Sequence, residues 1–332
     1  MDGDGTQHAR PELTSGRPIR HKDRGLARTV IALVALIIGA GLFLWAPVTA
    51  WLGQREVDAA LERDLGAAAD SGGGVGDGAE APSGKRDKAV DPAYQFLLDY
   101  NERVAAGEAG AINDPWGIGS DSDELAAAGL ADAMVGSLSV PSMGVRLPIY
   151  LGTSSEHLNE GAALVAGTSA PLGDAGDDAG TGSNCVIAAH RGAVRGVPMF
   201  RDIEDVRLGD ELTIETPWDT LTYRAAQIEV IAPTDVDAVR LQPGRDLVTL
   251  ITCHPYGSNA KRYMVVFERV ADTGDGLSAT SAFMRNPLTE ALKPTSSPQL
   301  ALERWMRVAG LVVMAALALA LAWKAYRRIR RG

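Results

Sequence analysis

Cys253 closes the apolar run 247–253 (LVTLITC) and is followed at once by the turn-forming His254-Pro255-Tyr256-Gly257. A thiol at the mouth of a strand is held rigidly yet stays reachable. Cysteine nucleophiles need that partial exposure, together with a nearby positive charge that favours the thiolate. Nine residues on, across a loop of turn formers, stands Arg262. If the two strands pair as an antiparallel hairpin, Arg262 begins its strand where Cys253 ends the previous one. A guanidinium there offers several donors in fixed geometry to a thiolate or a developing oxyanion; spacing alone fits an ordinary surface arginine equally well. Such chemistry also needs a proton carrier, and histidine titrates in the right range. Of the five histidines, His8 and His21 lie in a basic N-terminal tail, and His157 sits in what reads as an exposed turn or short helix. His254 adjoins Cys253, and alternation along a strand turns it to the opposite face. His190 ends the apolar run 185–189 just before Arg191-Gly192, at a second strand mouth, and is the candidate acid/base.

Only one other cysteine exists, Cys185. Its five-residue offset from His190 sets the two on opposite faces of a regular strand, so it reads as a small buried core residue. A Cys185–Cys253 disulfide is the alternative. Two cysteines exclude a disulfide scaffold and a four-cysteine zinc site. A net charge of −10 argues against a nucleic-acid partner, for which a basic face is the expected footprint. Asp174, Asp177 and Asp178 fall in a loop insertion, 171–183, but lack the ligand pattern of a calcium loop and read as solvated acids.

The elements that must position these groups are short strands. Segments 137–140, 145–150, 185–190, 211–216, 219–229, 246–253 and 262–270 alternate or are apolar between turn signals. Their spacing suggests one all-β barrel or sandwich of about 140 residues. Asp91-Pro92 begins a helix in which Ala93, Leu97, Tyr100 and Val104 share a face. Before it, 52–90 reads as a linker, richest in Gly, Ala and Ser from residue 66.

Charge is partitioned along the chain. The tails 1–28 and 324–332 carry +2 and +5, and Arg304 and Arg307 add two more, which leaves −19 on residues 29–303. No charged side chain occurs from Thr29 to Gln54 or from Val308 to Trp323, and Trp45, Trp51, Trp305 and Trp323 stand at the ends of these stretches. Apolar segments with aromatic ends and basic flanks read as membrane spans whose flanks stay inside. The expected organisation is a cytoplasmic tail at 1–28, a span at 29–51, a catalytic domain at 91–270, a return linker at 271–304, a second span at 305–323 and a basic tail at 324–332. A signal peptide cleaved after Val48-Thr49-Ala50 is the alternative for the first span, although its apolar run exceeds a signal core. A core helix is the alternative for the second.

Several motifs together resemble the sortase family: 249–253 (TLITC) with Pro255-Tyr256-Gly257 and Arg262, the histidine motif 189–192 (AHRG), and upstream 147–154, 161–163 and 167–169. The resemblance covers about residues 88–270 in the family's order. It implies an eight-stranded sortase-type β-barrel with an N-terminal helix and a lid loop, flanked by two transmembrane helices. It also implies Cys253 as nucleophile, His190 as general acid/base and Arg262 as the oxyanion-stabilising residue, with no cofactor and no metal. Asp114-Pro115-Trp116, within a lid at 111–118, resembles the motif of class C, the pilin-polymerising sortases. The implied reaction cleaves an LPXTG-like sorting signal between Thr and Gly and joins it to a pilin lysine. Implied partners are pilin subunits, a housekeeping sortase or cell-wall precursor, and the membrane of a Gram-positive cell with the catalytic domain outside. A cell-wall anchoring sortase and a non-enzymatic membrane-anchored scaffold are the alternatives. The family pattern is departed from at His254, where threonine is common, and at Cys185.

Overall fold

The computed structural model describes residues 21–70, 85–109, 112, 134–173, 182–270 and 295–330. Eight strands close into one barrel: β1 (Met134–Val140), β2 (Val145–Leu151), β3 (Ala162–Leu164), β4 (Ser183–Ala188), β5 (Glu211–Glu215), β6 (Thr220–Ile231), β7 (Asp246–His254) and β8 (Lys261–Arg269), in the spatial order β1-β2-β3-β4-β7-β8-β6-β5. Seven of these were legible as apolar or alternating runs. β3 was not, because three residues are too few to display a period.

Most ladders are antiparallel. The β2–β3 and β4–β7 pairs are parallel. Strands β4 and β7 are buried on both faces, which is why both read as near-continuous apolar runs rather than alternating ones. One face fills the barrel interior with side chains such as Leu138, Leu147, Ile187, Leu250 and Phe267. The other packs Val186, Ala188, Ile251, Met264 and Val266 into a second, smaller cluster outside it.

Helix α1 (His21–Asp70) precedes helix α2 (Pro92–Ala105), in which Asp91 caps the N-terminus by accepting from Ala93 N at 2.9 Å. The same carboxylate accepts from Trp218 Nε1 at 3.0 Å and Arg86 NH1 at 3.1 Å, which pins the helix start to the barrel. The expected face is buried: Ala93, Leu97, Tyr100 and Val104.

The linker expected at 52–90 is corrected in two places. Residues 52–70 continue α1, where Leu61 is buried and Gln54 Nε2 donates to Arg146 O at 2.7 Å. Residues 85–90 are tied to the barrel, with Arg86 N donating to Pro217 O and with Lys85 and Lys88 paired to Asp219. Composition suggested freedom; tertiary partners remove it. Gly196, at φ +87°, faces α1 so closely that a Cβ there would lie 2.6 Å from Thr49 O. Only glycine accommodates both that conformation and that approach.

Clustering of contacts separates residues 1–43 with 309–332 from residues 44–308. In the first unit a Cβ at Gly39 would lie 3.8 Å from Met314 Sδ, so the two helical segments meet there. Helix α3 is Ser155–Glu160 and helix α4 is Pro298–Ile329. Among the described residues, one helix is long and apolar enough to cross a membrane, Pro298–Lys324 with a mean hydropathy of 2.0; Val30–Gly41 is a shorter apolar stretch. The C-terminal helix thus begins at Pro298, inside the segment expected as a return linker.

Its first turns are docked on the catalytic unit. Leu300 is fully buried, and Arg304 NH2 lies 3.0 Å from Asp202 Oδ1 and 3.6 Å from Asp205 Oδ2. All three charged groups are buried, so removing the arginine strands two carboxylates away from water. Arg304→Ala should cost about 3 kcal/mol, read as a fall in melting temperature of roughly 5 °C or more for the full chain in detergent.

Candidate active site

Register brings the three candidate residues together. In the parallel β4–β7 ladder Ala188 stands opposite Ile251, and Ala189 N continues the pairing to Ile251 O at 3.4 Å. Carried two residues further, that register sets His190 level with Cys253. On the other side of β7, the antiparallel ladder pairs Cys253 directly with Arg262. Alternation then decides the face. Residues 185, 187, 248, 250, 265 and 267 belong to the barrel interior, while 186, 188, 251, 264 and 266 belong to the outer cluster. Counting in twos from Ala188, Ile251 and Met264 places His190, Cys253 and Arg262 on the outer face of three adjacent strands.

Hydrogen bonds hold that level in place. Thr252 Oγ1, fully buried, donates to Ala189 O at 2.7 Å and so binds the end of β7 to the residue before His190. Deeper in the sheet, Thr249 Oγ1 donates to Asn184 Oδ1 at 2.8 Å across the same two strands. Arg262 is buried to 4% exposure, and its NH1 donates to Asn259 O at 2.8 Å and Lys261 O at 2.9 Å, which fixes the guanidinium plane from the loop that follows Cys253. Cys253 is half-buried and is not in a disulfide. Burial holds the His190 imidazole below its ordinary pKa, because the charged form loses water.

Beside Arg262 the outer cluster opens into a cleft of about 20 Å³ lined by Val165, Val186, Ile231 and Ile251, with Ile112 also against it. The arrangement can therefore present a thiol, a half-buried base and a fixed cation to one carbonyl, next to an apolar wall.

Other expectations meet different outcomes. Cys185 is 2% exposed in the barrel interior, and burial, with the Asp246 charge adding to it, raises its thiol well above the ordinary value. It is a core residue. The disulfide alternative fails because neither cysteine is disulfide-bonded and Cys185 faces inward while Cys253 faces outward. His157 lies in a short helix, one of the two expected settings, but it is buried there rather than exposed, with Nδ1 2.9 Å from Gly152 O and its ring stacked on Tyr150 at 5.0 Å. His254 turns to the opposite face, its ring 5.5 Å from Tyr263. Of the lid at 111–118 only Ile112 is among the described residues; Asp114, Pro115 and Trp116 lie outside them, as do the loop acids Asp174, Asp177 and Asp178. No group of three His, Cys, Asp or Glu placed to hold a metal occurs among the described residues. Two residues were not singled out: Arg191, whose NH1 donates to Cys253 O at 3.3 Å, and Glu204, 2.7 Å from Arg191 NH2. The adjacency of Arg191 to His190 was a signal, whereas Glu204 lies thirteen residues away with nothing local to mark it.

Residues 138–270 match the Sortase domain model. Sortase C-1 of Actinomyces oris, a solved structure, is 34% identical over 56% of this chain and 99% of its own, with a TM-score of 0.47. Sortase C-3 of Streptococcus pneumoniae is 32% identical over 57% of this chain and 88% of its own, with a TM-score of 0.47. Sortase A of Bacillus anthracis is 29% identical over 137 residues, 41% of this chain and 60% of that protein, so the chain spans less than two thirds of that relative's length. On the domain match and the identity across nearly all of the A. oris protein, the chain belongs to the sortase family of cysteine transpeptidases.

Proposed function

We propose that this chain is a pilin-polymerising transpeptidase of the sortase C type. The observation that carries the reading is the placement of Cys253, His190 and Arg262 at one level on the outer face of adjacent strands. His190 takes the proton of the Cys253 thiol, and the thiolate attacks the Thr–Gly carbonyl of an LPXTG-like sorting signal; a C–S bond forms and the carbonyl electrons move to oxygen, beside the Arg262 guanidinium. Collapse breaks the C–N bond, and His190 delivers a proton to the leaving glycine amine. His190 then takes a proton from a pilin lysine amine, which attacks the thioester; a C–N bond forms and Cys253 leaves as the thiolate. The cycle needs no metal and no organic cofactor.

Identity to the two sortase C proteins and the Asp114-Pro115-Trp116 motif favour the pilin acceptor. The similarity to B. anthracis sortase A favours a second reading, anchoring to a peptidoglycan amine. The C-terminal apolar helix and the uncharged stretch from Thr29 to Gln54 support a chain held in the membrane by two spans, with the catalytic domain outside.

Incubation of the full chain with candidate pilins should yield a ladder of covalent polymers that the Cys253→Ala variant does not form. Sorting-peptide cleavage without a ladder would favour the anchoring reading, and no cleavage at all would overturn both. Asp114→Ala and Trp116→Ala should each raise the rate at which a thiol reagent labels Cys253, because the resemblance to class C implies a lid that must open first; unchanged rates count against gating. The lowered pKa of His190 places the acid limb of the kcat/KM profile below about pH 6.5. Since the folded protein takes up that proton less readily than the unfolded chain, the same group costs stability as pH falls below the unfolded value. A profile recorded from pH 4 to 9 checks the limb, as does a melting series.

A further inference from the structure

We propose that Glu204 is a positioning residue that sets the nucleophile against the acid/base, acting through Arg191 and His254, the residues that directly follow His190 and Cys253. The proposal rests on the transpeptidase reading above and deepens it. One carboxylate oxygen gathers both chain segments: Glu204 Oε1 is 2.7 Å from Arg191 NH2 and 3.2 Å from His254 Nδ1. The histidine contact lacks hydrogen-bond alignment. Arg191 spends its remaining donors on the backbone around the site, Nε to Arg201 O at 3.2 Å and NH1 to Cys253 O at 3.3 Å, and its side chain is 2% exposed. The guanidinium therefore bridges the residue after the base to the carbonyl of the nucleophile itself.

A buried ion pair is a weak source of stability, because desolvation offsets its attraction; what it supplies is a single geometry. β4 ends at Ala188, so His190 lies past its ladder, whereas Cys253 is still paired with Arg262 of β8. Past Ala189, the Arg191 bond to Cys253 O, with the Glu204 carboxylate behind it, adds to the Thr252–Ala189 bond in relating the two segments. Glu204 is itself held in a tight 3-10 turn, Ile203–Asp205, with its carbonyl accepting from Arg207 NH1 at 2.9 Å. Asp202 and Asp205, on either side of it, bind Arg304 of helix α4. The remaining titratable neighbour is Tyr263, whose ring lies 5.7 Å from the Arg191 guanidinium and whose hydroxyl pKa is raised by burial first and by the Glu204 charge next.

The test uses the full chain in detergent. Glu204→Gln keeps the shape and removes the charge, leaving the Arg191 cation uncompensated beside Cys253. An uncompensated cation favours the thiolate, so the pH profile of iodoacetamide alkylation at Cys253 should shift down by about half a unit or more. Peptide mass analysis assigns the label, since Cys185 is a second, buried thiol. With a sorting peptide, kcat should fall at least about tenfold while KM stays within about twofold, as expected when reacting groups rather than substrate contacts are displaced. Arg191→Lys should lose kcat in the same way, because an ammonium cannot form the three-way fork. A purely structural pair would lower the melting temperature and move neither the alkylation profile nor the kcat of folded protein. The double variant Arg191→Met, Glu204→Leu removes both charges together and should fold but remain poor in kcat. An unchanged profile and kcat in folded Glu204→Gln, or wild-type kcat in the double variant, overturns the proposal. Failure of both variants to fold overturns it too, by making the pair structural. A wild-type chain inert toward the peptide overturns the transpeptidase reading instead, and the alkylation profile still decides the role of Glu204.

Discussion

The pairing of β7 with β4 on one side and β8 on the other is the constraint from which the rest of the site follows. Strand register leaves no freedom finer than one residue, and a slip of one would turn every side chain to the other face. Here a slip of β7 against β4 would bury Cys253 in the barrel and turn His254 outward, and it would break the Thr249–Asn184 and Thr252–Ala189 hydrogen bonds at once. Those two buried hydroxyls are what a wrong register would leave unpaired, at a cost of about 1–3 kcal/mol each. The apolar pattern and the polar pairs therefore specify the same alignment.

That alignment explains why the catalytic candidates sit at strand ends. Within β4 and β7 both faces are occupied, one by the barrel interior and the other by the outer cluster, so a reacting group placed there would be sealed from substrate. At the last residues the outer cluster ends and the wall opens, while the strand still holds the backbone. Partial burial at this boundary also does electrostatic work: it lowers the pKa of His190 without sealing the imidazole away from a peptide.

Past the strand ends, ion pairs take over from the ladder. The segment from Arg191 to Arg207 is gripped by Arg191 with Glu204, by Arg304 with Asp202 and Asp205, and at Gly196 by close approach to α1. Two of these three grips come from the helices that flank the catalytic domain. The segments that lead toward the apolar helices are in this sense part of the frame that carries His190.

The amino-acid sequence by itself determined seven of the eight strands, the capped helix at Asp91, the strand-end places of Cys253 and His190, and the inward face of Cys185, because each is encoded in residues close in the chain: a period, a cap, a turn, an offset. It misassigned 52–70 and 85–90 as linker, and His157 as exposed, because small and polar residues take their structure from distant partners such as Arg146, Pro217 and Tyr150. Tertiary structure alone decided that β3 completes the barrel, that His190 stands level with Cys253 across 63 residues of chain, and that Glu204 meets both Arg191 and His254. Local pattern specifies which face a residue takes. Only closure of the sheet specifies which residues share a level, since register between non-adjacent strands is set by pairs that no single segment contains.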